Sequence, residues 1–180
     1  MSIKLVELRN QKTIIIRESK KEDALEYINY LDQIAVQTDF LTFGGGELVI
    51  SQVDQELMIE NSAKSENQLM VFAIMGEKIV GGLTFRGSNR ARIRHSGEFG
   101  ITVLKEFWGL GIGTQLVLFL IKWAKASNII RKINLRVRSD NARAVELYSR
   151  LGFVEEGVIT REFFIGTQFY DAIHMGMEID

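Results

Sequence analysis

Apolar and polar positions change period several times along this chain, and each change marks an element. Residues 13–17 form a β-type run, and residues 20–38 repeat with a helical period that sets Ala24, Ile28, Leu31 and Ala35 on one face. A second helical stretch covers residues 51–63. Residues 69–75 and 78–85 read as strands around the hairpin signal Gly76-Glu77, and residues 96–104 as a third strand. Residues 114–126 are so apolar that the helix predicted there must be largely buried. Ile133, Leu135 and Val137 alternate with Asn134, Arg136 and Arg138, as in a half-buried strand. Residues 141–151 predict a helix with Ala144, Tyr148 and Leu151 on one face. Residues 153–165 and 168–179 predict a closing strand pair around Gly166-Thr167. The order is strand, two helices, three strands, helix, strand, helix, two strands. That order predicts an α/β fold with one mixed, twisted sheet and helices on both faces.

Composition narrows the classes. A chain of 180 residues is long enough to bury a full core, and one domain spanning 1–180 is expected. A net charge of −1 gives no global attraction to nucleic acid or to a membrane surface. Cysteine is absent, which excludes disulfides, thiolate zinc sites and a cysteine nucleophile, and fits a reducing cytoplasm. Only His95 and His174 occur, so a three-histidine metal site is excluded and a metal-independent mechanism is favoured. The start is too polar for a secretory signal, and the most apolar run, residues 116–121, is too short to span a bilayer. With no proline, turns must rely on Gly, Asn, Asp and Ser. The cluster Gly44-Gly45-Gly46 reads as a loop between helices.

The first segment with candidate chemistry is Trp108-Gly109-Leu110-Gly111-Ile112-Gly113-Thr114, between a predicted strand and a predicted apolar helix. Glycines allow a tight bend and close approach of a ligand to the backbone. The free N–H groups of the first helical turn, with the helix dipole, suit an anion such as a diphosphate. A plain strand-to-helix turn is the bland alternative. Two rival phosphate binders fail on particular residues. The dinucleotide fingerprint requires its third glycine one residue later and an acidic residue about 20 residues on, yet no Asp or Glu occurs from Phe107 to Ser139. A P-loop requires Gly-Lys-Ser/Thr, and no glycine here is followed by lysine.

Ile101-Thr102-Val103 followed by Glu106-Phe107-Trp108-Gly109-Leu110-Gly111-Ile112-Gly113 resembles the acetyl-CoA signature of the GNAT N-acetyltransferases, Arg/Gln-x-x-Gly-x-Gly/Ala. Trp108 stands where that signature usually has Arg or Gln. Asn141-Ala142-Arg143-Ala144-Val145-Glu146-Leu147-Tyr148, with Leu151-Gly152-Phe153, is similar to the family's second signature, Asn-x-x-Ala-x-x-Leu-Tyr with a nearby Gly-Phe. The segments 92–101 and 157–175 resemble the branch acting on small amines, amino acids or protein N-termini. The resemblance implies a GNAT-like fold and acetyl transfer from acetyl-CoA to a primary amine, a small molecule or a protein N-terminus. It implies a cofactor site made of Ile101, Thr102, Val103, Trp108, Gly109, Leu110, Gly111, Ile112, Gly113, Thr114, Asn141 and Tyr148. In it the Ile101 N–H faces the developing oxyanion, and Thr102 and Val103 pair with the pantetheine arm. It also implies that Tyr148 donates to the leaving thiolate; the alternative is a core aromatic with its hydroxyl satisfied elsewhere. Asn141 serves as helix N-cap and polar cofactor contact.

Glu98 is the candidate base for the incoming ammonium, directly or through water. In a regular strand it faces with Gly100 and Thr102, opposite Ile101, unless a bulge near Gly97 or Gly100 reverses the count. The alternative is a solvated carboxylate. His95 is a weaker candidate base. Tyr170 and Asp171 either line the acceptor pocket or serve a turn. Arg90, Arg92 and Arg94 form a basic patch that reads as a solvated strand face, the alternatives being to guide an acidic acceptor or to meet CoA phosphates. The loop at residues 38–46, with Phe40, Leu41 and Phe43, caps the acceptor site, packs on the body or meets a second copy. Two other functional classes stay open: an acetyl-CoA sensor or scaffold without appreciable turnover, and a self-assembling interaction protein. A homodimer is compatible with each.

Overall fold

A computed structural model describes residues 3–180; Met1 and Ser2 of the polar start lie outside the described residues. The elements are β1 (Ile3–Glu7), β2 (Thr13–Glu18), α1 (Ala24–Ala35), α2 (Gln52–Lys64), β3 (Gln68–Met75), β4 (Lys78–Gly87), β5 (Ser96–Val103), α3 (Ile112–Ala126), β6 (Lys132–Arg138), α4 (Ala142–Arg150), β7 (Val154–Ile165) and β8 (Gln168–Glu178). The strands form one sheet of eight in the order β1-β2-β3-β4-β5-β6-β8-β7. Neighbours run antiparallel except β5 and β6, which are parallel. A parallel pair needs a crossover connection, and α3 supplies it.

The two sheet faces are told apart by adjacent glycines of β4. A methyl group at Gly81 would lie 3.0 Å from Ile112 and 3.3 Å from Leu116 of α3. One at Gly82 would meet Tyr27 and Tyr30 of α1 at 3.4 and 3.7 Å. Hence α3 rides on one face and α1 on the other, with α2 beside α1. The Gly81 approach is tight enough that even a methyl there would require Ile112 and Leu116 to give by a few tenths of an ångström. Ile112, Leu116, Val117, Phe119, Leu120 and Ala124 of α3 are buried, as expected from its composition. At about 25 cal/mol per Å² of apolar surface, such a face is what holds the helix, more than its propensity.

Several expectations shift. The chain opens with a hairpin, β1–β2, whose first strand lies outside the expected 13–17 run. The helix expected over 20–38 is a 3-10 turn at Lys21–Asp23 followed by α1, which ends at Ala35. Its sheet-facing side carries Tyr27, Tyr30 and Ile34 with Ala24, while Ile28 and Leu31 are only half-buried. Two large rings outweigh the aliphatic spacing: Tyr27 packs 4.6 Å from Phe72 and 6.0 Å from Tyr30, centroid to centroid. Helix α3 begins at Ile112, two residues before the apolar run suggested. No described helix is long and apolar enough to cross a membrane.

Candidate active site

The site is built where β5 and β6 part. They are in register only from Ser96–Lys132 to Glu98–Asn134, whereas β6 continues alongside β8 to Arg138. Beyond Glu98, one side of β5 therefore has no strand beside it. The antiparallel ladder fixes which groups this leaves open. Leu104 N–H donates to Val80 C=O (3.0 Å), and the β4–β5 register runs without a shift from Gly81–Val103 to Gly87–Gly97. Backbone direction alternates along a strand. Thr102 and Gly100 therefore direct N–H and C=O to β4, and Ile101 and Val103 direct theirs into the gap.

The glycine turn stands next to this gap. Gly109 and Gly111 have φ of +82° and +95°, a region that side chains disfavour, and Gly111 is the N-cap of α3. The first N–H to close a helical bond is that of Gln115, donated to Gly111 C=O (3.1 Å). The N–H groups of Ile112, Gly113 and Thr114 thus have no intrahelical acceptor. A methyl at Gly113 would sit 3.4 Å from Leu147 and 3.9 Å from Ile101, so α3, α4 and β5 meet there. The side chain of Ile112 is buried in the core, and that of Leu110 packs partly buried against it.

Asn141 caps α4: its Oδ1 accepts the Ala144 N–H (3.2 Å). Tyr148 lies two turns on, buried edge-to-face against Phe99 of β5 (5.7 Å) and Phe153 (6.0 Å). Its hydroxyl has no hydrogen-bond partner among the described residues, and it is not one of the sealed polar atoms, of which Gln55 Nε2 is the example. Burial pushes its phenol well above the ordinary value, so it stays protonated at neutral pH.

Other expected site residues are placed differently. Thr102 turns its side chain to α1, where the buried Tyr30 hydroxyl donates to Thr102 Oγ1 (2.8 Å). Trp108 directs its indole N–H to Val103 C=O (2.6 Å), so that carbonyl in the gap already has a donor. No bulge turns Glu98 round: it stays on the face of Gly100 and Thr102, and Arg136 Nε donates to its Oε1 (2.9 Å). Arg136 also reaches Glu162, making an ion-pair chain across β5, β6 and β7. His95 is exposed, and Asp171 of β8 accepts the Arg161 N–H of β7 (2.8 Å) across the strand pair, at the register shift between Ile159 and Phe163. Arg90, Arg92 and Arg94 lie exposed in the β4–β5 connection, with Arg94 paired to Glu66 (3.1 Å). Leu41 and Phe43 of the 38–46 loop pack on the core.

Comparison with known proteins shows the family of the chain. Residues 29–153 match the model of the acetyltransferase (GNAT) family. The chain belongs to the GNAT family. A GNAT acetyltransferase of Streptococcus pneumoniae is 34% identical in a structural match covering 93% of this chain and 99% of that one, with a TM-score of 0.90. The fold is also that of yncA from Salmonella typhimurium, solved with its cofactor acetyl-CoA (17% identity, 93% and 94% coverage, TM-score 0.81). Among curated relatives, the spermidine N(1)-acetyltransferase of Vibrio cholerae is 36% identical over 46% of this chain and 48% of its own length. The Escherichia coli L-amino acid N-acetyltransferase AaaT is 30% identical over 59% of this chain and 65% of its own. The chain thus spans about half the length of the first of these relatives.

Some site-shaping residues of this GNAT chain escaped the sequence reading. Arg138, expected on a solvated strand face, is buried. Its guanidinium lies between the rings of Phe40 (4.2 Å) and Tyr170 (4.3 Å) and pairs with Asp140 (2.7 Å), and its Nη1 donates to Asp39 C=O (2.9 Å). It fastens the 38–46 loop and β8 to the end of β6. The signal available was Arg138-Ser139-Asp140, a cation and an anion flanking a turn. For Tyr30 the signal was the i, i+3, i+7 spacing of Tyr27, Tyr30 and Ile34.

Proposed function

We propose that this GNAT-family chain transfers acetyl from acetyl-CoA to a primary amine, a small molecule or a protein N-terminus, by direct attack in a ternary complex. The observation that carries the reading is the gap beside β5: the Ile101 N–H faces it, with the open N–H groups of α3 at one end. Acetyl-CoA lies with its diphosphate at residues 109–114 and its pantetheine arm along the open side of β5. The amine attacks the thioester carbonyl, and the Ile101 N–H stabilises the oxyanion. The C–S bond then breaks and the thiolate departs toward Tyr148.

A free thiol ionises near ~8.5 and an ordinary phenol near ~10, and burial raises Tyr148 further. Full proton transfer from the phenol therefore runs uphill, which supports a hydrogen bond to the thiolate as its main contribution. Before the attack, the incoming ammonium gives its proton, through water, to Glu98 on the other face of β5, whose carboxylate Arg136 orients, and so gains the lone pair that attacks. Strand parity then separates the base from the thiolate donor. A homodimer through the β7 edge belongs to the same reading; exposed Val154, Val158, Phe164 and Phe169 support it, and light-scattering mass tests it.

The test is release of CoA thiol from acetyl-CoA with a panel containing spermidine, free amino acids and peptides with free N-termini. Acetylated amine with stoichiometric thiol is expected for at least one class. Tight acetyl-CoA binding with no turnover on any amine would make the chain a sensor instead.

A further inference from the structure

Three cations converge on the glycine turn from segments far apart in sequence. Arg143, in the first turn of α4, holds its guanidinium 5.3 Å from the centre of the Trp108 ring. Its Nη2 lies 3.7 Å from where a methyl at Gly109 would stand. Arg9, in the β1–β2 connection, donates through Nη1 to Gly109 C=O (3.3 Å), and Lys4 of β1 donates to Gln115 Oε1 of α3 (2.7 Å). None of the three has an acidic partner among the described residues.

This arrangement opposes the folded protein's own electrostatics. The N-terminal end of a helix carries partial positive charge, so a cation in the first turn is disfavoured there, and α4 has no acidic residue in its first turn to offset Arg143. The N-terminus of α3 adds charge of the same sign across the turn. An uncompensated set of like charges around open backbone donors is relieved by a polyanion.

We propose that Arg143, braced by the Trp108 ring, is the side-chain cation for the diphosphate of CoA in this chain. Trp108 holds the signature position usually given to Arg or Gln, and its one donor is committed to the Val103 carbonyl. It therefore brings no charge to the turn. The charge comes from α4 instead, with the indole face as its platform, and Arg9 and Lys4 reinforce the field from the β1–β2 hairpin. The inference rests on the acetyl-CoA reading above and names the residue that gives the cofactor site its anion preference.

The experiment is calorimetric titration of the intact wild-type protein and R143Q with CoA and with 3′-dephospho-CoA, at low and high salt, beside thermal melts of the unliganded proteins. R143Q is expected to weaken both ligands alike by about ten- to thirtyfold at low salt, the scale of one lost charge-assisted contact, with the difference shrinking as salt rises. The unliganded melting temperature stays the same or rises, because the helix end loses a repulsive charge. W108Q, which removes the platform and keeps the cation, gives a smaller loss on the same two ligands. Equal affinity of wild type and R143Q overturns the inference. So does a loss confined to CoA with 3′-dephospho-CoA unaffected, which would make Arg143 a partner of the 3′-phosphate. Absence of CoA binding by the wild type overturns the cofactor reading itself, a result separable from both.

Discussion

Replacing Tyr148 by Phe separates chemistry from packing, because this phenol uses its ring and its oxygen for different things. The ring is buried between Phe99 and Phe153 in edge contacts that phenylalanine reproduces. The oxygen makes no hydrogen bond to the described residues, so its loss removes no protein contact. Stability should therefore change by no more than about 0.5 kcal/mol, within about 2 °C of melting temperature for a chain of this size. In the proposed transition state, the same oxygen faces a departing thiolate. A hydrogen bond to a charged group is worth about 1.5–3 kcal/mol, which converts to roughly a ten- to hundredfold fall in kcat. The fall belongs in kcat, because the thiolate forms only as the C–S bond breaks, and acetyl-CoA affinity should be nearly unchanged. The assay is steady-state turnover beside calorimetric titration with acetyl-CoA and a thermal melt. Wild-type kcat in Tyr148→Phe would refute the reasoning and leave Tyr148 as a packing residue. Loss of affinity together with kcat would make it a cofactor clamp.

Three further predictions follow from the geometry. Gly111→Ala should lose about 1 kcal/mol of stability as well as cofactor affinity, because its φ of +95° disfavours any Cβ, whereas Gly113→Ala, with no positive φ and an ordinary contact to Leu147, should melt close to wild type; chemical denaturation compares the two. Arg138→Ala should lower stability by about 1–2 kcal/mol, chiefly by opening the stack between Phe40 and Tyr170, because the Asp39 and Asp140 carboxylates it pairs are about half exposed and stay solvated, with Arg138→Lys restoring only part; the same denaturation series measures it. Burial pushes Tyr27 up to about 12 and raises Tyr30 and Tyr148, so their unfolded phenols ionise before the folded ones. The stability they contribute is complete below pH ~10 and falls as pH rises toward their folded values, so melting temperature should be level just below pH ~10 and drop beyond it.

How far the chain could be read depended on the range of the interaction behind each feature. The glycine turn, the apolar helix after it, the Asn141 cap and the alternation of β6 are written in residues a few positions apart. Each was legible because local geometry alone makes it. The family followed from two such segments, Ile101 to Gly113 and Asn141 to Phe153. The face of α1 was read in part: Ala24 and Ala35 are buried as expected, but Tyr27, Tyr30 and Ile34 take the places given to Ile28 and Leu31, because aliphatic spacing was weighed over the larger area of two rings that pack toward Phe72. The first strand was missed because the β1–β2 hairpin leaves Ile3 and Leu5 exposed, which blurs its pattern.

By itself, then, the sequence determined the order of elements from β2 onward, the anion-suited turn and a phenol two turns from an N-cap, since backbone preference and side-chain period act between near neighbours. Only the tertiary structure decided where β5 and β6 part, that Ile101 and not Thr102 faces the gap, and that Arg136 holds Glu98. It also decided that Trp108 closes on Val103, that Arg143 of α4 leans over the same turn, and that Arg138 is buried between Phe40 and Tyr170. Each of these joins groups on different elements or depends on the register between strands. That register is set by packing of the whole sheet against α1 and α3, where a shift of one residue would turn every side chain to the opposite face.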